Sequence, residues 1–259
     1  MDADKLEGLQ KLYYASELPV PYVLKCGKCI EIFPVKVKDW EIFANSLGVL
    51  TIDKNSIADV EIISMSYLDF LYKLVTEHTE GIMEMLYTIL KYSLGEHDYS
   101  MKKLGERNKT FLIIKDIDAQ ISSREFDEIV EIILTYNLTN YDTRKMSDDI
   151  KKLIEDYYKL RNGNQYRYAS LEEQNVFVML RSGISIQQIN EMSYRIFSQV
   201  YATALDCDLY FANKIIQSSQ KYETKGEIIH PLLEKKKDVL EEVFQDADTF
   251  VNDMRGKLG

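Results

Sequence analysis

Cys26 and Cys29 are the first residues whose types and spacing could do chemistry, because the stretch Cys-Gly-Lys-Cys sets them two residues apart. A structural zinc ion takes four ligands, typically from two such pairs. The third cysteine, Cys207, lies far along the chain, and the sequence has no second pair. A thioredoxin-type site needs the motif at a strand-to-helix junction, whereas this one flanks a predicted hairpin turn. We therefore expect two cysteines beside a turn, with a metal or redox protein as an open alternative.

Histidines and nucleophiles show no catalytic spacing elsewhere in the sequence. No HExxH motif, no serine in a GxSxG context and no glycine-rich phosphate loop occurs. His78 and His97 lie near predicted helix ends, and His230 precedes Pro231. We expect all three histidines to be exposed or to cap helices.

Three pairs of aspartates could be interpreted as metal ligands: Asp116 with Asp118, Asp148 with Asp149, and Asp206 with Asp208. An EF-hand requires a twelve-residue loop that ends in Glu and has Gly at its sixth position, and none of the pairs fits. We interpret them as turn and helix-start residues, except that the last pair lies inside a predicted helix. That pair predicts an exposed face or a polar contact with a partner. The sequence therefore predicts a protein that is not an enzyme and has no cofactor.

Composition excludes two classes of partner. The chain has 259 residues, a net charge of −10 and a pI near 5.0, which opposes binding to a nucleic-acid backbone. No run of about 18 apolar residues predicts a membrane span. The acidic N-terminus lacks the basic and apolar regions of a signal peptide, and three cysteines fit a reducing cytoplasm.

The first half alternates between strand and helix patterns. Residues 22–37 predict a hairpin with a two-residue Gly27-Lys28 turn of type II′, since Gly tolerates positive φ, and Pro34 halts its sheet hydrogen bonding. Apolar residues at helical spacing then predict helices at three segments: 38–47, which contains Trp40, 65–77 and 80–94. Residues 95–109 predict a polar loop, and residues 110–121 predict a strand, an Asp-rich turn and a return strand.

From Ser122 onwards the pattern is helical. Capping boxes begin at Ser122, Ser170 and Ser185, and Ser147 caps a predicted helix at 148–161. Residues 192–220 contain neither Gly nor Pro and carry apolar residues on more than one face, which is typical of a central helix in a bundle.

The predicted fold class is mainly α with a small β component (α+β). We expect a mixed α/β N-terminal module of hairpin and helices at 1–121, followed by a helical bundle at 122–259, or one continuous domain. The last helix carries apolar residues three and four apart, which predicts docking on its own domain or on a neighbouring subunit, so a homo-oligomer is open. These residues are Leu240, Val243, Ala247, Phe250 and Met254.

Eighteen tyrosines suggest surfaces that bind other proteins. Packing at the edge of the core accounts for most of them, but tyrosine is also enriched at interfaces, where it combines apolar area with a hydroxyl. The predicted partner-binding residues lie on the last two helices: Tyr201, Tyr210, Phe211, Val243 and Phe250.

Two blocks of the sequence have a recognisable pattern. The first block reads FPVKVKDWEIF and then LTIDKNSIADVEIISMSYLDFLY. The second reads SREFDEIVEIILTYNLTNYD and then SLEEQNVFVMLRSGISIQQINEMSYRIF. Both blocks resemble tail-morphogenesis proteins of phages and prophages of Gram-positive bacteria, some of which are tail assembly chaperones. The blocks cover about half of the chain. The segment NYDTRKMSDDIKK lacks the aromatic-Ile-Asp-Pro turn of the family pattern, so the resemblance favours a tail-associated protein over a chaperone in particular.

The resemblance implies a protein of the host cytoplasm that binds other tail proteins, with the tape-measure protein as the suspected partner. A chaperone of this kind shields apolar helices until tail-tube subunits replace it. Two alternatives are open. One is a structural virion subunit of the tail or of the head–tail connector. The other is an uncharacterised enzyme or metal/redox protein that uses Cys26 and Cys29.

Overall fold

The structure, a computed structural model, describes residues 8–52, 54, 57, 59–77, 81–105, 108–138 and 169–218. Its fold is mainly α with two small antiparallel sheets, which confirms the predicted class. The described residues divide into two compact units. One unit contains the described residues up to Leu138 and residues 184–200, and the other contains residues 169–183 and 201–218.

The helices lie close to their predicted positions. Short 3-10 turns occur at Val37–Asp39 and Leu47–Leu50, and a π-helical turn occurs at Gln10–Tyr14. The predicted helix at 148–161 and the stripe at 240–254 lie outside the described residues. The described α-helices are α1 (Trp40–Ser46), α2 (Val60–Ser64), α3 (Tyr67–Thr76), α4 (Ile82–Leu94), α5 (Ser123–Asn137), α6 (Leu171–Ser182), α7 (Ile186–Glu191) and α8 (Tyr194–Ser218).

Strands β1 (Val20–Val23) and β2 (Cys29–Ile32) form the predicted hairpin. The Gly27 amide donates to the Leu24 carbonyl at 2.8 Å, and the Leu24 amide donates to the Lys28 carbonyl at 2.8 Å. The loop therefore contains three residues, 25–27, and the predicted two-residue Gly27-Lys28 turn is wrong. The reason is that Gly27, at φ 84°, occupies the left-handed position that closes a three-residue loop.

The chain leaves the two-stranded β1–β2 sheet at Pro34, as predicted, because proline has no amide hydrogen to continue the hydrogen-bond ladder. The Phe33 amide donates to the Ser93 carbonyl at 2.7 Å. The next amide, that of Val35, donates to the side-chain oxygen of Asn137 at 2.8 Å. The extended segment after β2 is thus held by α4 and α5.

A second sheet contains β3 (Tyr99–Leu104), β4 (Lys109–Ile114) and β5 (Ala119–Ser122) in that order. The last two strands confirm the predicted strand–turn–strand at 110–121. The predicted loop at 95–109 is wrong, because it contains β3. Tyr99 is buried while Lys102 and Lys103 are exposed, and lysines are typical of edge strands that resist pairing with other chains. The polar composition hid this strand.

Helix α5 lies in the core of the first unit and begins with the predicted capping box of Ser122 and Glu125. Glu125 is only 4% exposed, and its second oxygen accepts the Lys25 amide of the hairpin loop at 2.7 Å. Burial raises the pKa of Glu125, but hydrogen bonds from Ser122 and from the Lys25 amide outweigh burial and lower the pKa below its usual value. One carboxylate therefore caps α5 and anchors the hairpin.

Residues 184–200 belong to the first unit through contacts with residues 17–40. The Val37 amide donates to the Met192 carbonyl at 3.0 Å, and the Tyr194 amide donates to the Val35 carbonyl at 2.8 Å. Glu191 binds the ammonium groups of Lys36 and Lys38. The predicted box at Ser185 caps the start of α7. This helix ends at Glu191, directly before the residues that bond to Val35 and Val37.

The second unit contains α6 and the part of α8 from residue 201 onwards. The predicted box at Ser170 caps α6, which ends at Gly183 in the left-handed conformation, φ 69°. Helix α8 has 25 residues and confirms the long helix predicted at 192–220. The ring of Phe177 on α6 contacts the ring of Tyr201 on α8, with centroids 5.6 Å apart.

Candidate protein-binding surface

Three of the five predicted partner-binding residues lie on α8 in the second unit, and they differ in exposure. Tyr201 is half-buried and packs edge-on against Phe177 at an interplanar angle of 82°. Tyr210 is half-buried, with the Lys214 ammonium 5.7 Å from its ring centroid. Phe211 is 57% exposed. Of the three, Phe211 presents most of its ring to solvent. Val243 and Phe250 lie outside the described residues.

Helix α6 adds exposed apolar residues that were not among the predicted partner-binding residues. Phe177 packs on Tyr201 and Val178 is fully buried, so the opposite side of α6 faces solvent. Three large apolar side chains lie on that exposed side: Val176 at 46%, Met179 at 36% and Leu180 at 76% exposure. The sequence signal for them was weak, because apolar residues occupy five consecutive positions, 176–180, rather than one stripe.

The Arg181 guanidinium on α6 forms an ion pair with the carboxylate of Asp208 on α8. This pair sets the C-terminal end of α6 beside α8, one helical turn before Phe211 and two turns before Ile215, which is 69% exposed. We name the set Val176, Met179, Leu180, Phe211 and Ile215 the α6–α8 apolar surface. The ion pair of Arg181 and Asp208 lies between the same two helices.

Exposed apolar residues of this size are a feature of surfaces that bind other proteins. Single exposed apolar residues are common on folded proteins, whereas several large ones on two neighbouring helices favour contact with another apolar surface. The α6–α8 apolar surface carries no group that could act as a general acid, a general base or a nucleophile. Its chemistry fits the apolar face of another protein.

The candidate metal or redox residues do not gather into a site in the described part of the chain. Cys26 and Cys29 are both exposed, at and beside the hairpin loop, and Cys207 is half-buried on α8. Among the described residues, no three His, Cys, Asp or Glu side chains lie close enough to share a metal ion. The arrangement agrees with the expected pair of cysteines beside a turn.

His97 forms a hydrogen bond that the sequence did not predict. Its Nδ1 lies 2.5 Å from the Asp116 carboxylate, and the other Asp116 oxygen accepts the Asp98 amide at 3.2 Å. The hydrogen bond from His97 lowers the pKa of Asp116. Asp118 lies in the same turn at φ 50°. These residues join the start of β3 to the β4–β5 turn, which is the turn role predicted for the two aspartates. His78 and His230 lie outside the described residues.

Two surface grooves lie in the first unit. One, of about 420 Å³, lies beside Phe33, Pro34 and Tyr92, and its residues Lys36 and Glu191 form an ion pair with each other. The other, of about 340 Å³, has a polar lining that includes Asp69 and Lys103. Asp69 accepts the Thr110 amide at 3.1 Å, and the Lys103 ammonium lies 5.3 Å from the Tyr72 ring centroid. These carboxylates are thus held by contacts within the fold.

Comparisons with known proteins add no relative. No protein-family model matches the chain, no curated protein matches it, and no solved structure matches it. Within the described residues, every helix is too short or too polar to cross a lipid bilayer.

Proposed function

We propose that this chain is a non-catalytic assembly protein of phage tails that binds an apolar helix of another tail protein on the α6–α8 apolar surface. The suspected partner is the tape-measure protein, and the site of action is the host cytoplasm. The single observation that carries the proposal is the exposure of five large apolar side chains, from 36% to 76%, on two neighbouring helices.

The physical basis is burial of apolar area. Covering the surface removes its side chains from water, and each largely buried Leu, Ile or Phe contributes about 1.5–3 kcal/mol before the costs of association. An amphipathic helix contacts an apolar surface through residues spaced three and four apart. The resemblance to tail-morphogenesis proteins supports the choice of partner, since a tape-measure protein supplies long apolar helices.

Co-expression of this chain with the tape-measure protein of the same phage or prophage tests the proposal. We expect a soluble complex that elutes together from a sizing column. The double variant Leu180→Ser/Phe211→Ser should reduce the recovered complex at least about tenfold, because hot-spot residues each contribute about 1–2 kcal/mol.

The matched control is Ile42→Ser, which replaces a 56% exposed isoleucine on α1 in the other unit. It should leave the complex intact. Unchanged solubility of the tape-measure protein with no complex would refute the proposal, and so would equal loss of the complex in the Ile42→Ser control.

A structural virion subunit is the competing function. Mass spectrometry of purified particles separates the two, because an assembly factor leaves before the tail is complete. We expect peptides of this chain in lysates of producing cells and none in mature particles. Stoichiometric amounts in the particles would replace the proposed chaperone by a structural subunit.

A further inference from the structure

Strand β3 lies at the edge of its sheet, and no strand pairs with its outer side in the described part of the chain. Residues of an antiparallel strand point their peptide groups alternately towards the partner strand and away from it. The Lys115 amide donates to the Asp98 carbonyl at 3.0 Å, in the same register as the ladder between β3 and β4. The even-numbered residues of β3 therefore bond to β4, and the peptide groups of the odd-numbered residues face outward.

Met101 and Lys103 are the outward-facing residues at the accessible end of β3. Met101 is half-buried and Lys103 is exposed, whereas Tyr99 is buried. Among the described residues, the Met101 and Lys103 amides have no hydrogen-bond acceptor. Each of the two residues offers one amide and one carbonyl, so an extended chain can bond to four backbone groups on this side. We name residues Met101–Leu104 the β3 edge.

The β3 edge carries positive charge in an acidic chain. Lys102 and Lys103 are both exposed, and they lie on opposite faces of the sheet because side chains alternate along a strand. Lys115, on the same sheet, is paired with Asp98, whereas Lys102 and Lys103 form no ion pair with a described residue. Each face of the edge therefore presents one ammonium group that a carboxylate can pair with.

A groove of about 340 Å³ lies on the Lys103 face of the edge. The Lys103 ammonium is 5.3 Å from the centroid of the Tyr72 ring on α3, so this side chain extends from β3 to α3. Lys73 and Lys109 line the same groove, together with two acids. One of the acids, Asp69, already accepts hydrogen bonds through both of its oxygens. An acidic side chain beside Lys103 would thus enter a groove with an excess of positive charge.

We propose that the β3 edge binds an extended segment of another protein in which two consecutive acidic residues lie between two apolar ones. The backbone of the segment bonds to Met101 and Lys103. Its acidic side chains lie opposite Lys102 and Lys103, one on each face, and its apolar side chains lie opposite Met101 and Leu104, which are half-buried. Opposite charges directly across a pair of strands stabilise the pairing.

The same charges select against a second copy of this chain. Two β3 edges side by side would bring four lysines together, and like charges opposite each other destabilise strand pairing. The lysines thus exclude an unselected strand and favour one of opposite charge. The β3 edge belongs to the first unit and the α6–α8 apolar surface to the second, so this inference does not rest on the proposed function.

A titration of the nitrogen-15-labelled full chain, followed by NMR, tests the proposal. The probe is the capped peptide Thr-Val-Glu-Glu-Val-Thr. We expect saturable shifts of the Met101 and Lys103 amide signals, because these amides gain an acceptor. The charge-reversed peptide Thr-Val-Lys-Lys-Val-Thr should bind at least about tenfold more weakly, since both cross-strand charge pairs become repulsive.

Methylation of the peptide's backbone nitrogens separates strand pairing from simple attraction of charges. Methyl groups on the first Glu and the second Val remove the donors that face β3 in either direction of pairing, and should weaken binding at least about tenfold. Methyl groups on the first Val and the second Glu remove donors on the opposite side of the peptide. These should leave the affinity within about twofold.

Variants of the protein test the lysines. Lys102→Glu should weaken binding of the acidic peptide at least about fivefold, and Lys102→Glu with Lys103→Glu should reverse the preference between the two peptides. The matched control is Lys28→Glu, which makes the same change of net charge at an exposed residue of the β1–β2 hairpin. It should leave the affinity unchanged. The dispersion of the amide signals shows that each variant is folded.

Three results would overturn the proposal. The first is the absence of shifts at Met101 and Lys103 with about 5 mM acidic peptide. The second is equal affinity of the two methylated peptides, which would show that backbone pairing does not occur. The third is equal weakening by Lys28→Glu and Lys102→Glu, which would assign the binding to net charge. No tail protein takes part in these measurements, so their failure leaves the proposed function untouched.

Discussion

The indole of Trp40 lies flat against the phenol ring of Tyr194, with ring centroids 3.5 Å apart and an interplanar angle of 3°. Trp40 begins α1 and Tyr194 begins α8, so this stack joins residues that are far apart in the sequence. Backbone hydrogen bonds continue the contact on both sides, from Val37 to Met192 and from Tyr194 to Val35. The start of α8 is therefore part of the N-terminal fold.

Trp40→Ala should lower the free energy of unfolding of the first unit by about 2 kcal/mol. The loss is smaller than for a fully buried ring, because Trp40 is half-buried. Urea unfolding followed by circular dichroism measures it, since Trp40 is the only tryptophan and its fluorescence is lost. Trp40→Phe keeps a stacked ring and should recover most of the stability. Equal losses of stability in both variants would show that stacking on Tyr194 does not contribute to the free energy of unfolding.

Asn137→Ala should cost about 2–3 kcal/mol of folding free energy. The Asn137 side chain is 1% exposed and accepts the Val35 amide at 2.8 Å, while its own amide donates to the Ile133 carbonyl. Its removal leaves a buried backbone amide without a partner, which costs more than a lost exposed hydrogen bond. Chemical denaturation checks the value. The partly exposed Asn213 on α8 is the control, and Asn213→Ala should change stability by less than about 0.5 kcal/mol.

Gly27→Ala should destabilise the hairpin by about 1 kcal/mol. At φ 84° the backbone of residue 27 is left-handed, and a Cβ there meets no other atom within 4 Å, so strain is the whole cost. Gly48 offers a matched control, because it also has free space but no positive φ. Gly48→Ala should be neutral or stabilising by up to about 0.5 kcal/mol. Equal effects of the two substitutions, by thermal unfolding, would contradict the turn geometry.

Glu191 should make stability depend on pH in acid. Hydrogen bonds from the ammonium groups of Lys36 and Lys38 lower the pKa of Glu191 from 4.5 to about 2. Because the folded pKa lies below the unfolded one, its contribution is complete above pH 4.5 and is lost as the pH falls towards 2. The stability difference between wild type and Glu191→Gln should therefore shrink over this range. Urea unfolding at several pH values measures it.

The control for this prediction is Asn213→Ala on α8, which removes no titratable group. Its difference from wild type should stay constant over the same pH range. A difference for Glu191→Gln that is equally constant would show that its ion pairs with the lysines contribute nothing to stability.

Local sequence determined the parts of this fold that depend on a few consecutive residues. Ser122 and Glu125 formed the predicted capping box because both partners lie within one helical turn. The uninterrupted apolar pattern of α8 gave a 25-residue helix. Pro34 ended its strand because proline lacks the backbone amide hydrogen that a sheet requires. By contrast, β3 escaped prediction, because an exposed edge strand needs a neighbour rather than an apolar pattern.

Only the tertiary structure decided which side chains are covered. The local sequence predicts only the contact between Glu125 and the Ser122 amide. The fold brings the Lys25 amide to the second oxygen of Glu125. Nothing local pairs Val35 with Asn137, 102 residues away. Phe177 and Leu180 belong to the same predicted helix, yet the first packs on Tyr201 and the second is 76% exposed. Helix formation is set by neighbours along the chain, whereas burial, and with it the candidate binding surface, is set by which segments meet in space.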